Sequence, residues 1–216
     1  MRLLEWILLL SLSILWGGSF FLAKVALAEI SPFSVVFARV ALAALALNIA
    51  EGFLGQGLWR PGAPWPAFFA MGALNNLVPF SLIFWGQTHI ASGLASILNA
   101  TTPLFTVVVA HFLTTDEKMT GSKIAGVVAG LLGVAVLVGP DALSVIKGSV
   151  WGQLACLGAA LFYAFAGIYG LRFKAMGVAT LQAAAGQVTT TTLLIPPIML
   201  IAEPPWLPAS SPSFVT

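Results

Sequence analysis

An arginine inside an apolar segment has the clearest potential for chemistry in this sequence. Arg39 is the eighth residue of the stretch Pro32–Ala50, which places it about 10–12 Å along a helix axis. Ionisable side chains within a membrane are rare, usually face the interior of a helix bundle and often serve function. We therefore expect Arg39 to contribute to a polar cavity and to meet an anionic group there. The alternative is that its long side chain reaches the membrane interface or anchors loop carbonyls.

Two clusters of polar residues in neighbouring apolar stretches lie next to prolines. Two asparagines precede Pro79, and an asparagine with two threonines precedes Pro103. A proline removes one backbone hydrogen bond of its helix, and irregular backbone at membrane depth is tolerated only inside protein or beside water. These two polar breaks favour either a lined cavity or bends that gate one, and the predicted helix bends are Gly17, Gly18, Pro79 and Pro103. The alternative is that the amides satisfy freed backbone groups and that Trp16 packs in a small-residue groove.

Patterns typical of enzymes and metal sites are missing from the sequence. His89 and His111 have no second metal ligand at helical spacing, and the single cysteine, Cys156, can form neither an intramolecular disulfide nor a thiolate cluster. The chain has no phosphate-binding glycine loop that ends in Gly-Lys-Ser/Thr, no His-Glu-x-x-His and no serine elbow. We therefore predict that the protein is not an enzyme and that it binds neither a cofactor nor a metal.

The composition indicates the class of protein in which these residues are held. Of 216 residues, 59% are hydrophobic and 7% are charged, whereas soluble domains carry about 25% charged residues. The net charge of +2 gives no reason to expect a nucleic-acid partner. Apolar segments long enough to cross a bilayer as helices are Leu3–Ala28, Pro32–Ala50, Pro66–Gly86, Ile90–Leu113, Gly121–Val138, Val150–Leu171 and Leu181–Ala202. The sequence thus predicts an all-α integral membrane protein with about seven transmembrane helices in the lipid bilayer.

The distribution of basic residues predicts the orientation in the membrane. The first segment resembles a signal peptide, but its apolar core exceeds the usual length of about 7–15 residues, so we interpret it as a retained helix. Six basic residues fall on the N-terminal side of seven helices: Arg2, Arg60, Lys118, Lys123, Arg172 and Lys174. Lys24 and Lys147 fall on the opposite side. Because cytoplasmic loops carry the excess of Lys and Arg, we predict a cytoplasmic N-terminus in a bacterial inner membrane.

Small residues recur in the fifth segment at helical spacing. Residues four apart lie on one face of a helix, and small faces allow helix backbones to approach closely within lipid. The predicted helix-packing residues are Gly121, Ala125, Ala129 and Gly133 on one face, with Gly126 and Gly130 on the neighbouring face.

These features together resemble a known transporter family. Pro103, then Glu117 in a short loop, then a glycine-rich final helix resemble the end of one EamA-type repeat of the drug/metabolite transporter superfamily. Trp16 beside two glycines is similar to the first helix of that family, and the pattern Phe-x-Arg at Arg39 is similar to the second. Family members usually have two repeats of five helices each.

The sequence also contains an internal repeat. The order of residue types in SILWGGSFFLAKV and SPFSVVFARV recurs about 148 residues later in ALFYAFAGIYGLRF and ATLQAAAGQV. In this alignment of the two repeats, Arg39 corresponds to Gln187. Five helices separate the two starts, and an odd number gives the inverted repeat found in many secondary transporters. We predict a first repeat at residues 1–140 and an incomplete second repeat at residues 148–216, because the resemblance implies three more helices after Thr216.

The resemblance implies a secondary transporter or exporter that carries small metabolites, with amino acids, related compounds and drugs among the candidates, by alternating access and efflux. It also implies a central substrate cavity between the two repeats, with these lining candidates: Trp16, Arg39, Asn75, Asn76, Asn99 and Thr102. Two other interpretations stay open: a truncated membrane fragment that does not transport, and a membrane scaffold or assembly partner. A second copy of the chain could close an incomplete cavity, so a homodimer is a further expectation.

Overall fold

The computed structural model of the chain describes residues 3–54, 62–115, 118–138 and 146–202, and these ranges contain helices and no strand. The helices are α1 (Leu3–Ala26), α2 (Pro32–Phe53), α3 (Trp65–Gly72), a π-helical segment (Ala73–Leu77), α4 (Val78–His89), α5 (Ser92–Asn99), α6 (Thr102–Leu113), α7 (Gly121–Val138), α8 (Ile146–Ala175) and α9 (Thr180–Ala202). Glu117, residue 140 at the end of the predicted first repeat, and residues 203–216 lie outside the described residues.

The described helices have the lengths and composition of membrane spans. They form six spans that are long and apolar enough to cross a bilayer. Four of these spans are the single helices α1, α2, α8 and α9. The third span combines α3, the π segment and α4, and the fourth combines α5 and α6. A shorter apolar helix covers Gly121–Gly133. The predicted all-α membrane fold with about seven crossings is confirmed, and the predicted segments differ from the helices by a few residues at their ends.

Prolines and threonines determine where the fourth span is interrupted. Pro103 has no N–H to donate to the carbonyl of Asn99, and α5 ends there. The hydroxyl of Thr102 donates to that carbonyl instead, at 2.7 Å, and the hydroxyl of Thr101 donates to the carbonyl of Leu98 at 2.6 Å. The predicted break before Pro103 is therefore present, and the backbone groups that it frees are satisfied locally. By contrast, α1 continues without interruption through Gly17 and Gly18.

The last two helices pack against the second, third and fourth spans, and α7 lies at the periphery against α5 and α6. Helix α8 contacts α4, α5 and α6, while α9 contacts α2, α3 and the π segment. On α8 the side chains turned inward are small: Cys156, Ala159 and Ala160 are fully buried. Small side chains let helix axes approach closely where no water is present to drive association.

Glycines mark the closest approaches between these helices. Helices α4 and α8 cross at Gly86 and Gly152, where a Cβ atom added to Gly86 would lie 2.8 Å from the carbonyl oxygen of Gly152. Helices α3 and α9 cross at Gly72 and Gly186, where a Cβ atom added to Gly186 would lie 2.6 Å from the ring of Phe68. These distances are too short for any side chain, so both crossings require glycine in the present arrangement.

Among the small residues of α7 that were predicted to pack, Gly130 makes the close contact in the described structure. A Cβ atom added there would lie 2.8 Å from the Leu104 side chain. The face formed by Gly121, Ala125, Ala129 and Gly133 is exposed, as is Gly126. The half-buried Val127 shares the inward face with Gly130, so a packing role for the exposed small face stays a prediction.

Candidate functional site

An open cavity of about 740 Å³ lies between α1, α2, the π segment, α4, α5, α6 and α8. Its volume is within the range of ligand pockets, about 300–1,000 Å³. Five of the six predicted lining residues contribute to it: Trp16, Arg39, Asn75, Asn99 and Thr102. Two of the predicted helix bends, Gly17 and Pro103, also line it. The remaining lining residues are Phe20, Phe80, Ser96, Ala100 and Tyr163.

Arg39 is held against aromatic rings in the cavity wall. Its guanidinium carbon lies 4.6 Å from the centre of the Phe80 ring and 6.0 Å from that of Phe84. The Phe80 ring also contacts Tyr163 edge-on, with ring centres 6.5 Å apart. A cation over an aromatic face is stabilised by about 0.5–2 kcal/mol, so the rings hold the guanidinium in place.

The hydrogen-bonding capacity of Arg39 is unused within the described part of the chain. The side chain is exposed to the cavity, and among the described residues it makes neither an ion pair nor a hydrogen bond. It therefore does not anchor a described loop carbonyl, which was one of the two alternatives for this residue; that the side chain reaches the membrane interface was the other. A guanidinium has five N–H donors, and these remain available to a ligand.

Asn99 lies at the end of α5 with an amide that has no partner among the described residues. The residue is 7% exposed, and its side-chain oxygen is buried and accepts no hydrogen bond from them. An unpaired buried amide oxygen costs about 1–3 kcal/mol. The backbone carbonyl of Asn99, in contrast, accepts from Thr102, so the unmet capacity belongs to the side chain alone.

Asn76 does not line the cavity, unlike the other predicted residues. Its amide nitrogen donates to the hydroxyl of Thr191 on α9, at 3.4 Å, and the residue is 4% exposed. Asn75, one position earlier in the π segment, reaches the cavity and donates to the side-chain oxygen of Gln187 at 2.9 Å. Successive helical residues point about 100° apart, so adjacent asparagines face different neighbours. Both amide nitrogens thus donate to side chains of α9. The alternative, in which they would satisfy backbone groups freed by Pro79, is not observed for either nitrogen.

Threonines of α9 connect this helix to α3 beside the cavity. The hydroxyl of Thr190 lies 2.9 Å from the carbonyl oxygen of Phe68 and 3.0 Å from two carbonyl oxygens of its own helix, those of Gly186 and Gln187. The hydroxyl of Thr191 lies 3.0 Å from the carbonyl oxygen of Gly72 and 2.7 Å from that of Gln187. Both side chains are fully buried. The hydroxyls therefore reach across to the turn of α3 that leads into the π segment, and they help position Asn75 at the cavity.

Replacing Thr190 or Thr191 with valine should lower the free energy of unfolding by about 0.5–2 kcal/mol, because hydrogen bonds between helices in membranes have about that strength. Thr192→Val is the matched control, since the Thr192 hydroxyl donates to Val188 of its own helix. Unfolding in mixed detergent micelles measures all three variants. An equal loss in the Thr192 variant would contradict a bond between helices as the cause.

Two polar side chains fix the C-terminal end of α1 to α4 and to the turn that follows α4. The ammonium group of Lys24 donates to the carbonyl oxygens of Gln87 and Ile90, near the end of α4, where cations are stabilised by the helix dipole. The amide nitrogen of the fully buried Gln87 donates to the carbonyl of Phe20 at 3.1 Å. These bonds position the turn of α1 that carries Phe20 into the cavity wall.

Five lining residues were not among those predicted from the sequence: Phe20, Ser96 and Ala100, and the aromatic pair Phe80 and Tyr163. Phe80 is one of 15 phenylalanines, and no local pattern distinguishes it from the others. Tyr163 had a weak signal, because it is one of two tyrosines in the chain and lies within an apolar segment. Among the described residues, no group of three or more His, Cys, Asp or Glu side chains could hold a metal ion.

Comparisons with known proteins place this geometry in context. Residues 3–139 match the EamA-like transporter family. The chain is 27% identical over 176 residues to the uncharacterized transporter YoaV of Bacillus subtilis, which covers 81% of this chain and 60% of that protein. It is 33% identical over 133 residues to a "probable terminal-alkyne amino-acid exporter" of Streptantibioticus cattleyicolor, which covers 61% of this chain and 43% of that protein.

A third relative is the uncharacterized inner membrane transporter YedA of Escherichia coli, 27% identical over 165 residues, with 76% of this chain and 52% of that protein covered. The chain thus spans about half the length of these curated relatives, from 43% to 60%. No solved structure matches it.

Proposed function

The chain belongs to the EamA-like transporter family, and from that premise we propose that it is a carrier of small metabolites that works by alternating access in a bacterial inner membrane. The name of the YedA relative, an inner membrane transporter, supports the location, and the excess of basic residues on the N-terminal side supports a cytoplasmic N-terminus. One relative is named a probable terminal-alkyne amino-acid exporter, and this makes amino acids and related compounds the first substrates to test.

The observation that carries the proposal is an open cavity in which Arg39 lies against aromatic rings and has no hydrogen-bond or ion-pair partner among the described residues. The cavity is lined by α1, α2, the π segment, α4, α5 and α6 on one side and by Tyr163 of α8 on the other. If residues 1–140 and 148–216 are the two repeats that we propose, then this cavity lies between the first repeat and the second. Secondary transporters bind their substrates at such an interface near the bilayer midplane.

Counterflow in proteoliposomes tests the proposal. Vesicles with the purified chain are loaded with one unlabelled compound from a panel of amino acids and organic acids, and the same labelled compound is added outside. A carrier exchanges label for unlabelled substrate without an ion gradient, so transient accumulation of label is expected for at least one compound. Vesicles without protein are the control. The absence of counterflow across the whole panel would contradict a carrier.

An assembly role is the second candidate, and the exposed small-residue face of α7 favours it. Gly121, Ala125, Ala129 and Gly133 present a surface on which a second helix could pack closely. A homodimer through this face is compatible with transport and also with a protein that only assembles. Counterflow separates the two, because a scaffold would form dimers in the same vesicles without exchanging label.

A further inference from the structure

We propose that the cavity binds small organic anions that carry a hydroxyl group beside an apolar body, and that it discriminates against organic cations. The inference rests on the proposed carrier function, because it names the substrate class of the same cavity. Three features carry it: the charge of the lining, the state of the Asn99 amide and the distribution of aromatic rings.

The charge of the lining favours anions. Among the described residues that line the cavity, Arg39 has the one formal charge, and the others are aromatic, amide, hydroxyl or small. A carboxylate or similar anion can accept two parallel hydrogen bonds from a guanidinium. A cation in the same space would be repelled by Arg39, and no acid among the described lining residues offsets that repulsion.

Aromatic rings can also bind cations, but one of these rings is already occupied. The guanidinium of Arg39 lies 4.6 Å from the centre of the Phe80 ring, so the protein's own cation uses that face. A ligand cation that approached Phe80 would come still closer to Arg39. The Phe80 ring therefore holds the arginine in place for an anion, and that face is not free for a cationic ligand.

Asn99 specifies a second polar group on the ligand. Its side-chain oxygen is buried and has no hydrogen-bond partner within the described part of the chain, and the residue as a whole is more than nine-tenths buried. An amide oxygen accepts hydrogen bonds, so a ligand hydroxyl that reaches it can satisfy it. A ligand that lacks such a group leaves the amide unpaired, which is costly inside a protein.

The rest of the lining accommodates an apolar body. Trp16, Phe20 and Tyr163 present rings to a cavity of about 740 Å³, and aromatic faces bind planar or apolar groups without directional demands. The ligand class is therefore a small anion with one extra polar substituent and an aromatic or aliphatic body.

Binding of a matched series of probes to the detergent-purified chain tests the inference. The probes are tritiated 3-phenyllactate, which has both the carboxylate and a hydroxyl, with unlabelled 3-phenylpropionate and phenethylamine as competitors. We expect phenyllactate to bind about 5–10 times more tightly than phenylpropionate, the ratio that one hydrogen bond gives. We expect phenethylamine, the cation, not to compete at concentrations at which both anions do.

Asn99→Leu is the diagnostic variant, and it should remove the preference for phenyllactate over phenylpropionate. Asn48→Leu is the matched control, because the Asn48 amide donates to Thr189 at 2.8 Å outside the cavity lining and should leave the preference unchanged. Size-exclusion profiles establish that both variants are folded. The probe series on the unaltered chain tests the preference for anions over cations independently, even if Asn99→Leu does not fold.

Competition by phenethylamine equal to that of phenyllactate would overturn the inference, as would the absence of binding by all three probes. An unchanged preference in folded Asn99→Leu would overturn the role of Asn99. These failures are distinct from failure of the carrier proposal. Anion binding without counterflow contradicts the carrier and supports the inference, whereas counterflow of cations supports the carrier and contradicts the inference.

Discussion

Replacement of Arg39 with glutamine should abolish counterflow while the amount of membrane-inserted protein stays unchanged. Glutamine keeps a polar head but loses the charge, the forked donors and the attraction to the Phe80 ring. Removing one partner of a desolvated charge pair costs about 2–5 kcal/mol, which is a loss of about 30-fold to several thousand-fold in affinity. The measurement is the initial counterflow rate of the compound that the unaltered chain exchanges fastest, at matched protein content.

Arg172→Gln is the matched control for this prediction. The guanidinium of Arg172 also lies over an aromatic ring, 5.0 Å from the centre of Tyr169, but it is in the last turn of α8 and does not line the cavity. We expect this variant to retain its transport rate. Arg39→Lys should restore part of the rate, because it restores the charge without the fork. Transport by Arg39→Gln at the unaltered rate would show that the arginine is not part of the substrate site.

Gly72→Ala should cause the largest loss of stability, because it fills the crossing of α3 and α9. The added Cβ atom would lie 2.6 Å from the Thr190 hydroxyl and 2.8 Å from the carbonyl oxygen of Gln187. A backbone carbonyl cannot turn aside as a flexible side chain does, so the helices must separate. Overpacking of this kind costs about 1–3 kcal/mol or more, and loss of the nearby threonine hydrogen bonds adds to it.

Gly167→Ala is the control for the crossing. Gly167 lies in the middle of α8 on its exposed surface, and a Cβ atom added there would have no neighbour within 4 Å. Because alanine is the better helix former by about 1 kcal/mol, this variant should be as stable as the unaltered chain or slightly more stable. Reversible unfolding in mixed detergent micelles compares the two. Equal free energies of unfolding for both variants would mean that α3 and α9 do not meet at Gly72.

The spans and much of the site could be predicted because a bilayer constrains sequence strongly. Long apolar segments identify the helices without any knowledge of their packing. A polar side chain in such a segment must find a partner or a cavity, and this rule located Arg39, Asn75, Asn99 and Thr102 at the cavity. The break before Pro103 followed from the missing N–H of proline.

What the sequence could not provide is the direction in which each side chain points. Asn75 and Asn76 are chemically identical neighbours, and the π segment turns one to the cavity and the other to α9. Phe80 and Tyr163 meet across 83 positions of the chain, and local pattern does not contain such a contact. Likewise, the face of α7 that packs on α6 depends on the position of Leu104, which spacing alone does not reveal.

The threonine bonds of α9 also bear on how the chain enters the bilayer during translation. The six candidate spans have mean hydropathies from 1.4 to 2.0, and α9 has the lowest. The carbonyls of Phe68 and Gly72 that accept from its hydroxyls lie 122 and 119 residues earlier. A ribosome synthesises them first, so both acceptors already exist when the most polar of these spans emerges.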